Sequence, residues 1–174
     1  LLKTFRSIIN QNMKPIISCA DLLKLNRMDN LVIVDSRLSA PTNYSVSHLK
    51  GAVWVDINSD LAEIGDFKYG GRHPLPTVKN FVLVLNELGI SNASHVVIYD
   101  ENSGAFAARM WWMLRSIGHE KVQVLDGGFD YALKSGYPID QKTTNKNPLS
   151  NYKATNWNWP LVDIDEVCES IGNS

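Results

Sequence analysis

Apolar positions in this chain fall into two alternating patterns, and the alternation predicts the architecture. Largely unbroken apolar runs rich in Val and Ile occupy 31–34 (LVIV), 95–99 (HVVIY) and 122–125 (VQVL). Runs of this kind fit strands buried on both faces of a parallel sheet. Shorter runs at 16–17 (II) and 51–55 (GAVWV) bring the predicted set to five. Between the strands, apolar residues recur at helical spacing. Phe81, Val82, Leu85 and Leu88 share one helix face, and Phe106, Met110, Met113, Leu114 and Ile117 share another. Punctuation agrees with these elements: Ser18 and Thr77 stand at N-cap positions, and Gly89, Gly118, Gly136 and Pro138 at stops. A further short helix is expected over 129–135. Strand–helix alternation predicts an α/β fold, about five parallel strands with right-handed crossovers and helices on both faces.

The segment 95–115 is the centre of this pattern: a buried strand, the polar loop Asp100-Glu101-Asn102-Ser103-Gly104, then a helix. Open α/β sheets bind ligands beyond the carboxyl ends of their strands, and a helix start there favours an anion. The residue at the strand end therefore decides the chemistry, and here it is Asp100, which is not a strong nucleophile. Two readings of Asp100 stand side by side. It caps the loop or helix, or it is a phosphoryl acceptor or metal ligand with Asp35 and Glu101 as companion acids. Ser103 lacks a G-x-S-x-G elbow and is expected to be the N-cap of the following helix. Arg109 and Arg115 are expected to be ion-paired surface groups. Of Trp111 and Trp112, on adjacent helix faces, one is expected to pack inward and the other to face the later arm or a second domain.

Past Asp140 the pattern disappears. Residues 141–158 are rich in Thr, Asn and Lys, without apolar period, which predicts a linker or extended arm. Tyr152, Trp157 and Trp159 within it suggest that the arm packs against something. The pattern resumes at 161–168 (LVDIDEVC), where Asp163 can cap a new helix bearing Val167 and Ile171. At the other end, residues 1–14 carry Lys3, Arg6 and Lys14 and no acid. An ordinary first helix is expected there, with the tail of an organellar presequence as the alternative.

Composition narrows the function classes. The chain has 174 residues, 44% hydrophobic and 20% charged, with a net charge of −1. That balance gives no bulk electrostatic case for nucleic acid or an acidic membrane surface. No apolar run approaches the roughly 20 residues needed to span a bilayer. Cys19 and Cys168 fit no metal or C-x-x-C spacing, which suits a reduced, intracellular chain; each is expected to be a small buried apolar residue. His73, His95 and His119 share no metal spacing with His48.

Several stretches together resemble the rhodanese family, specifically the first half of the two-domain thiosulfate and 3-mercaptopyruvate sulfurtransferases. They are 32–37 (VIVDSR), 44–52 (YSVSHLKGA), 73–76 (HPLP), 109–115 (RMWWMLR) and 125–129 (LDGGF). Their order and spacing match the family, and the resemblance covers about residues 17–140; Lys50 departs from the family's usual proline. The resemblance implies a structural, hydrogen-bonding His48. It also implies that catalytic members carry a cysteine where this chain has Asp100. There a loop of amide N–H groups cradles the thiolate and then the persulfide. A carboxylate cannot carry a sulfane sulfur, and the loop here is one residue longer, with Gly104 four positions after Asp100. No catalytic residue is therefore expected in this chain. Arg37, in the motif Asp-x-Arg, is the candidate for binding substrate charge, with an ion pair as the alternative. The implied domain layout is an N-terminal extension at 1–15, a rhodanese-like domain at 16–140, a linker at 141–160, and the start of a second, absent rhodanese domain at 161–174. The implied partners are that C-terminal domain and a small anionic sulfur donor, with no cofactor, metal, nucleic acid or membrane. A stand-alone, non-catalytic rhodanese-like module is the alternative. The expected compartment is the cytoplasm, with the mitochondrion as alternative. An exposed apolar face is expected where a second domain would dock.

Overall fold

The computed structural model describes residues 13–26, 28–38, 42–66, 68, 71–101, 103–141 and 149–171. Most of the N-terminal helix or presequence lies outside these residues, as does the polar centre of the arm. Strands β1 (Ile16–Ile17), β2 (Leu31–Asp35), β4 (Val53–Trp54), β5 (His95–Tyr99) and β6 (Val122–Leu125) form one sheet in the order β1-β6-β5-β2-β4. All of its pairings are parallel. The fold is the α/β architecture expected from the alternation of buried runs and amphipathic stretches.

The period of two along each strand divides the core. Val32, Val34, Val96 and Ile98 point to one side, where they meet helices α3 (Val78–Glu87) and α4 (Ala105–Ser116) through Phe81, Leu85, Met110, Met113 and Leu114. Ile33, Val97 and Tyr99 point to the other side, towards α1 (Cys19–Leu25) and α5 (Gly128–Lys134) through Cys19, Leu22, Phe129 and Ala132. Ser18 and Thr77 cap α1 and α3 by accepting from Asp21 N and Asn80 N. Gly89 takes φ +73° just beyond α3, the left-handed stop that glycine adopts without strain.

Two small elements depart from the sequence pattern. Helix α2 (Thr42–Val46) leads into β3 (His48–Leu49), which pairs antiparallel with β7 (Ile139–Asp140). Two-residue strands carry no readable period, so a single strand over 51–55 was expected here; the chain instead spends 48–49 on β3 and only 53–54 on the main sheet.

The arm does pack. Tyr152 is buried, and its hydroxyl lies 3.1 Å from His119 Nδ1. Asn86 Oδ1 accepts from Tyr152 N, and Ser150 Oγ also reaches Asn86 Oδ1 at 3.2 Å. Trp157 stacks on Phe81, and Trp159 meets the edges of Trp111 and Trp112. Both tryptophans of α4 therefore touch the arm, correcting the expected division of one inward and one outward. A shallow arm laid across the helix reaches both adjacent faces. The last helix, α6 (Ile164–Ile171), has no buried residue. Cys168 is accordingly exposed rather than buried, while Cys19 is buried as expected. No described helix is long and apolar enough to cross a membrane.

Candidate functional site

After β2 the chain turns to the α1–α5 side of the sheet, and after β5 it turns to the α3–α4 side. The crevice between two such strand ends is where doubly wound sheets bind ligands. Here that point is occupied by Asp35, Ser36 and Arg37 from β2 and by Asp100 from β5.

Asp35 and Arg37 are both buried. Arg37 Nη2 donates to Asp35 Oδ2 at 2.7 Å, and Nε donates to both carboxylate oxygens at 3.0 and 3.1 Å. The Tyr99 hydroxyl donates to Asp35 Oδ2 at 2.8 Å and accepts from Leu49 N. The guanidinium also donates to Ser47 O and lies 4.0 Å over the Phe129 ring. Burial opposes the charged guanidinium, but the hydrogen bonds and charge of Asp35 outweigh it, and the Arg37 pKa rises. Burial, reinforced by the Asp35 charge, holds the Tyr99 phenol well above its ordinary value, so it stays a donor. Arg37 thus pairs with Asp35, the carboxylate two residues before it, and not with Asp100.

Asp100 is also buried. Its Oδ1 accepts from Gly104 N at 3.0 Å, and its Oδ2 from Phe106 N at 3.1 Å and Ala107 N at 3.3 Å. Gly104 occupies the N-cap of α4 with φ +74° and has no side chain to offer. Asp100 supplies the missing acceptor from four residues upstream. Ser103 is therefore not the cap; its Oγ reaches only Ala105 N, at 3.4 Å. The left-handed turn at Gly104 folds the helix start back over the strand end, and a capping rule based on the adjacent residue cannot anticipate that.

The other singled-out residues are structural in geometry. The imidazole of His48 is buried, stacks on Tyr44 at 3.9 Å and places Nδ1 2.7 Å from Tyr44 O. Arg109 is not an ion-paired surface group: its guanidinium donates to Leu61 O, His73 O and Pro74 O, pinning the 58–76 loop to α4. The loop wraps over the helix, and its carbonyls lie closer than any acid. Arg115 Nη1 likewise donates to a carbonyl, Glu120 O. His73 Nε2 lies 3.0 Å from Asn58 Oδ1, and burial together with Arg72 and Arg109 lowers its pKa. Burial raises the Cys19 thiol pKa, making it a poor nucleophile. Among the described residues, no group of three His, Cys, Asp or Glu side chains is arranged to hold a metal ion. Sequence reasoning missed Tyr99 and the amides of Phe106 and Ala107; the tyrosine at the end of an apolar run was the available signal for the first.

This geometry belongs to a known family. The rhodanese-like domain family matches residues 18–134, and the chain is a member of it. Among curated relatives, it is 41% identical over 112 residues to thiosulfate/3-mercaptopyruvate sulfurtransferase 2 of Arabidopsis thaliana, covering 64% of this chain and 32% of that protein. It is 37% identical over 134 residues to thiosulfate sulfurtransferase of Cricetulus griseus, covering 76% of this chain and 43% of that protein. A third relative, 37% identical over 139 residues, is named a mitochondrial sulfurtransferase of Arabidopsis thaliana. The crystal structure of a 3-mercaptopyruvate sulfotransferase from Escherichia coli superposes with a TM-score of 0.78 at 25% identity, covering 92% of this chain and 64% of that one. The chain thus spans less than half the length of these curated relatives.

Proposed function

We propose that this chain is the non-catalytic N-terminal rhodanese domain of a two-domain sulfurtransferase. In the whole enzyme, a cysteine thiolate of the C-terminal domain attacks the sulfane sulfur of thiosulfate or 3-mercaptopyruvate. The bond to that sulfur breaks, sulfite or pyruvate leaves, and the persulfide passes its outer sulfur to cyanide or a thiol. In this reading residues 16–140 are the rhodanese-like domain, 141–160 the linker, and 161–174 the opening of the second domain. The role of this half is structural: it closes one wall of the cleft that receives the small anionic donor.

The observation that carries the reading is Asp100. Where the family's chemistry needs a thiolate, this loop holds a carboxylate that already uses the amides of Gly104, Phe106 and Ala107. Its charge also disfavours an anionic donor at that strand end. Arg37 meets substrate, in this reading, only through Nη1, because Nε and Nη2 are held by Asp35 and Ser47. The mitochondrial relative supports the mitochondrion as compartment. A stand-alone binding module is the second reading, favoured by the complete two-sided core that this chain already buries.

A thiosulfate-to-cyanide assay on the 174-residue chain beside the protein of the full reading frame tests the proposal. Activity in the longer protein alone fits it. Activity in the shorter chain overturns it and directs attention to Cys19 and Cys168. Inactivity in both moves the assignment to the binding module.

A further inference from the structure

The beginning and the end of the described chain share one pattern. Pro15-Ile16-Ile17-Ser18-Cys19-Ala20-Asp21-Leu22 is echoed by Pro160-Leu161-Val162-Asp163-Ile164-Asp165-Glu166-Val167. Each is a proline, two apolar residues, a cap, an apolar residue, a spacer, an acid and an apolar residue. The helix caps coincide as well. Ser18 Oγ accepts from Asp21 N while its hydroxyl donates to the Asp21 carboxylate. Asp163 Oδ1 accepts from Glu166 N, and Glu166 Oε2 accepts from Asp163 N. A cap whose third-position acid reaches back is a specific helix start, and it occurs here twice on the same sequence frame.

The two copies differ in what covers them. In the first, Pro15 O and Ile17 O accept from Val124 N and Asp126 N of the neighbouring strand. Cys19 and Leu22 are 4% and 0% exposed, whereas Leu23, on the far side of α1, is 40% exposed. In the second, Leu161, Val162, Ile164, Val167 and Ile171 are all exposed. A short helix with an uncovered apolar face is not stable on its own in water.

We infer that residues 160–171 are the opening strand and helix of a second unit built on the plan of residues 15–26, and that this unit's own sheet and core cover α6. The inference rests on the two-domain reading above and adds a register to it. Val162, Ile164 and Val167 take the places of Ile17, Cys19 and Leu22 and are buried. Leu161 and Cys168 take the places of Ile16 and Leu23 and stay at the surface. Pro160 O and Val162 O accept from a parallel strand that corresponds to β6. The echo loosens at its end: Leu25 answers to Ser170, and the apolar residue comes one place later, at Ile171, still on the Val167 face. The relatives' greater length supplies the chain such a unit needs, since the match covers 32% and 43% of two of them.

The test uses the protein of the full reading frame. Alkylation is followed site by site by peptide mass spectrometry and referred to the rate in denaturant. Native Cys168 reports one side of α6, and the thiol of a Val167→Cys variant reports the other. Cys168 is expected to react within about threefold of its denatured rate, and the thiol at position 167 about 100-fold more slowly. Hydrogen exchange on the unsubstituted protein supplies an independent reading, with protected amides expected over 164–171. A protected Cys168 beside a reactive thiol at 167 overturns the register. Reactive thiols at both positions with unprotected amides overturn the inference, and sulfur transfer to cyanide by that same protein would leave the two-domain reading standing. An inactive protein whose frame encodes no second unit overturns both.

Discussion

Asp35 and Asp100 sit buried at the ends of two adjacent strands, on either side of the point where the sheet's connections change face, and they are neutralised by different means. Asp35 relies on side chains: the Arg37 guanidinium and the Tyr99 hydroxyl. Asp100 relies on the main chain: three amide groups at the start of α4. The first arrangement couples two strands and the start of α5 through ions that each depend on the other. The second is a helix cap whose donors no substitution short of proline removes. A buried charge held by a partner charge is costly to break from either side, whereas a carboxylate held by amides loses only a capping interaction when it is removed.

The sharpest way to break the comparison is at Arg37. Arg37→Met leaves Asp35 buried without its counter-ion and should cost about 3–5 kcal/mol in urea unfolding at neutral pH. Adding Asp35→Asn to that variant should restore part of the loss, because the uncompensated charge is gone. A loss under about 1 kcal/mol for Arg37→Met would show that water reaches Asp35 and that the two strand ends do not differ as described.

Acid unfolding would blur the comparison unless His119 is treated separately. Its Nε2–H donates to Ser94 O, and its Nδ1 accepts from the Tyr152 hydroxyl, an arrangement that requires the neutral ring. Burial lowers its pKa from 6.5 to about 4. Because the folded value lies below the unfolded one, the unfolded chain binds more protons between them. The contribution is therefore complete above pH 6.5 and is lost progressively as the pH falls towards 4. The loss should be on the order of 3 kcal/mol, and a His119→Asn variant should show a flatter decline over that range. Equal slopes in the two proteins would mean that the ring is protonated in the folded state.

Asp100→Ala should cost less, about 1–2 kcal/mol, the usual value of a lost helix cap. Asp100→Asn, which keeps an acceptor, should cost a fraction of that. A loss as large as that of Arg37→Met would make the Asp100 site electrostatic in the same sense as Asp35, and the contrast between the two strand ends would fail.

The parts of this architecture that were legible beforehand are those with a long period. The runs at 31–34, 95–99 and 122–125 could be buried only within a parallel sheet, and the faces of α3 and α4 followed from residues three and four apart. What escaped was short or non-local. The β3–β7 pair uses two residues on each side, separated by about 90 positions in sequence, with no period to read. Arg109 carries the same charge whether it meets an acid or, as here, three carbonyls of a loop 35–48 residues earlier. The site was half legible. Asp100 was visible as the strand-end residue, but its amide partners depend on a left-handed turn at Gly104, and Tyr99 read as one more buried apolar residue.

The smallest expected effect concerns the arm, which is held by a mixture of the two strategies. Asn86 Oδ1 accepts from the main-chain amide of Tyr152 and lies 3.2 Å from the Ser150 hydroxyl, while Asn86 O accepts from Ser150 N. Asn86→Ala removes the side-chain contacts and keeps the main-chain one. It should cost about 1 kcal/mol, with faster hydrogen exchange at the Tyr152 amide. Trp157 and Trp159 should hold the rest of the arm on Phe81, Trp111 and Trp112 by ring contact, so their fluorescence should change little. A large spectral shift on Asn86→Ala would mean that the arm releases as one piece and that its aromatic contacts depend on a single amide, as Asp35 depends on a single guanidinium.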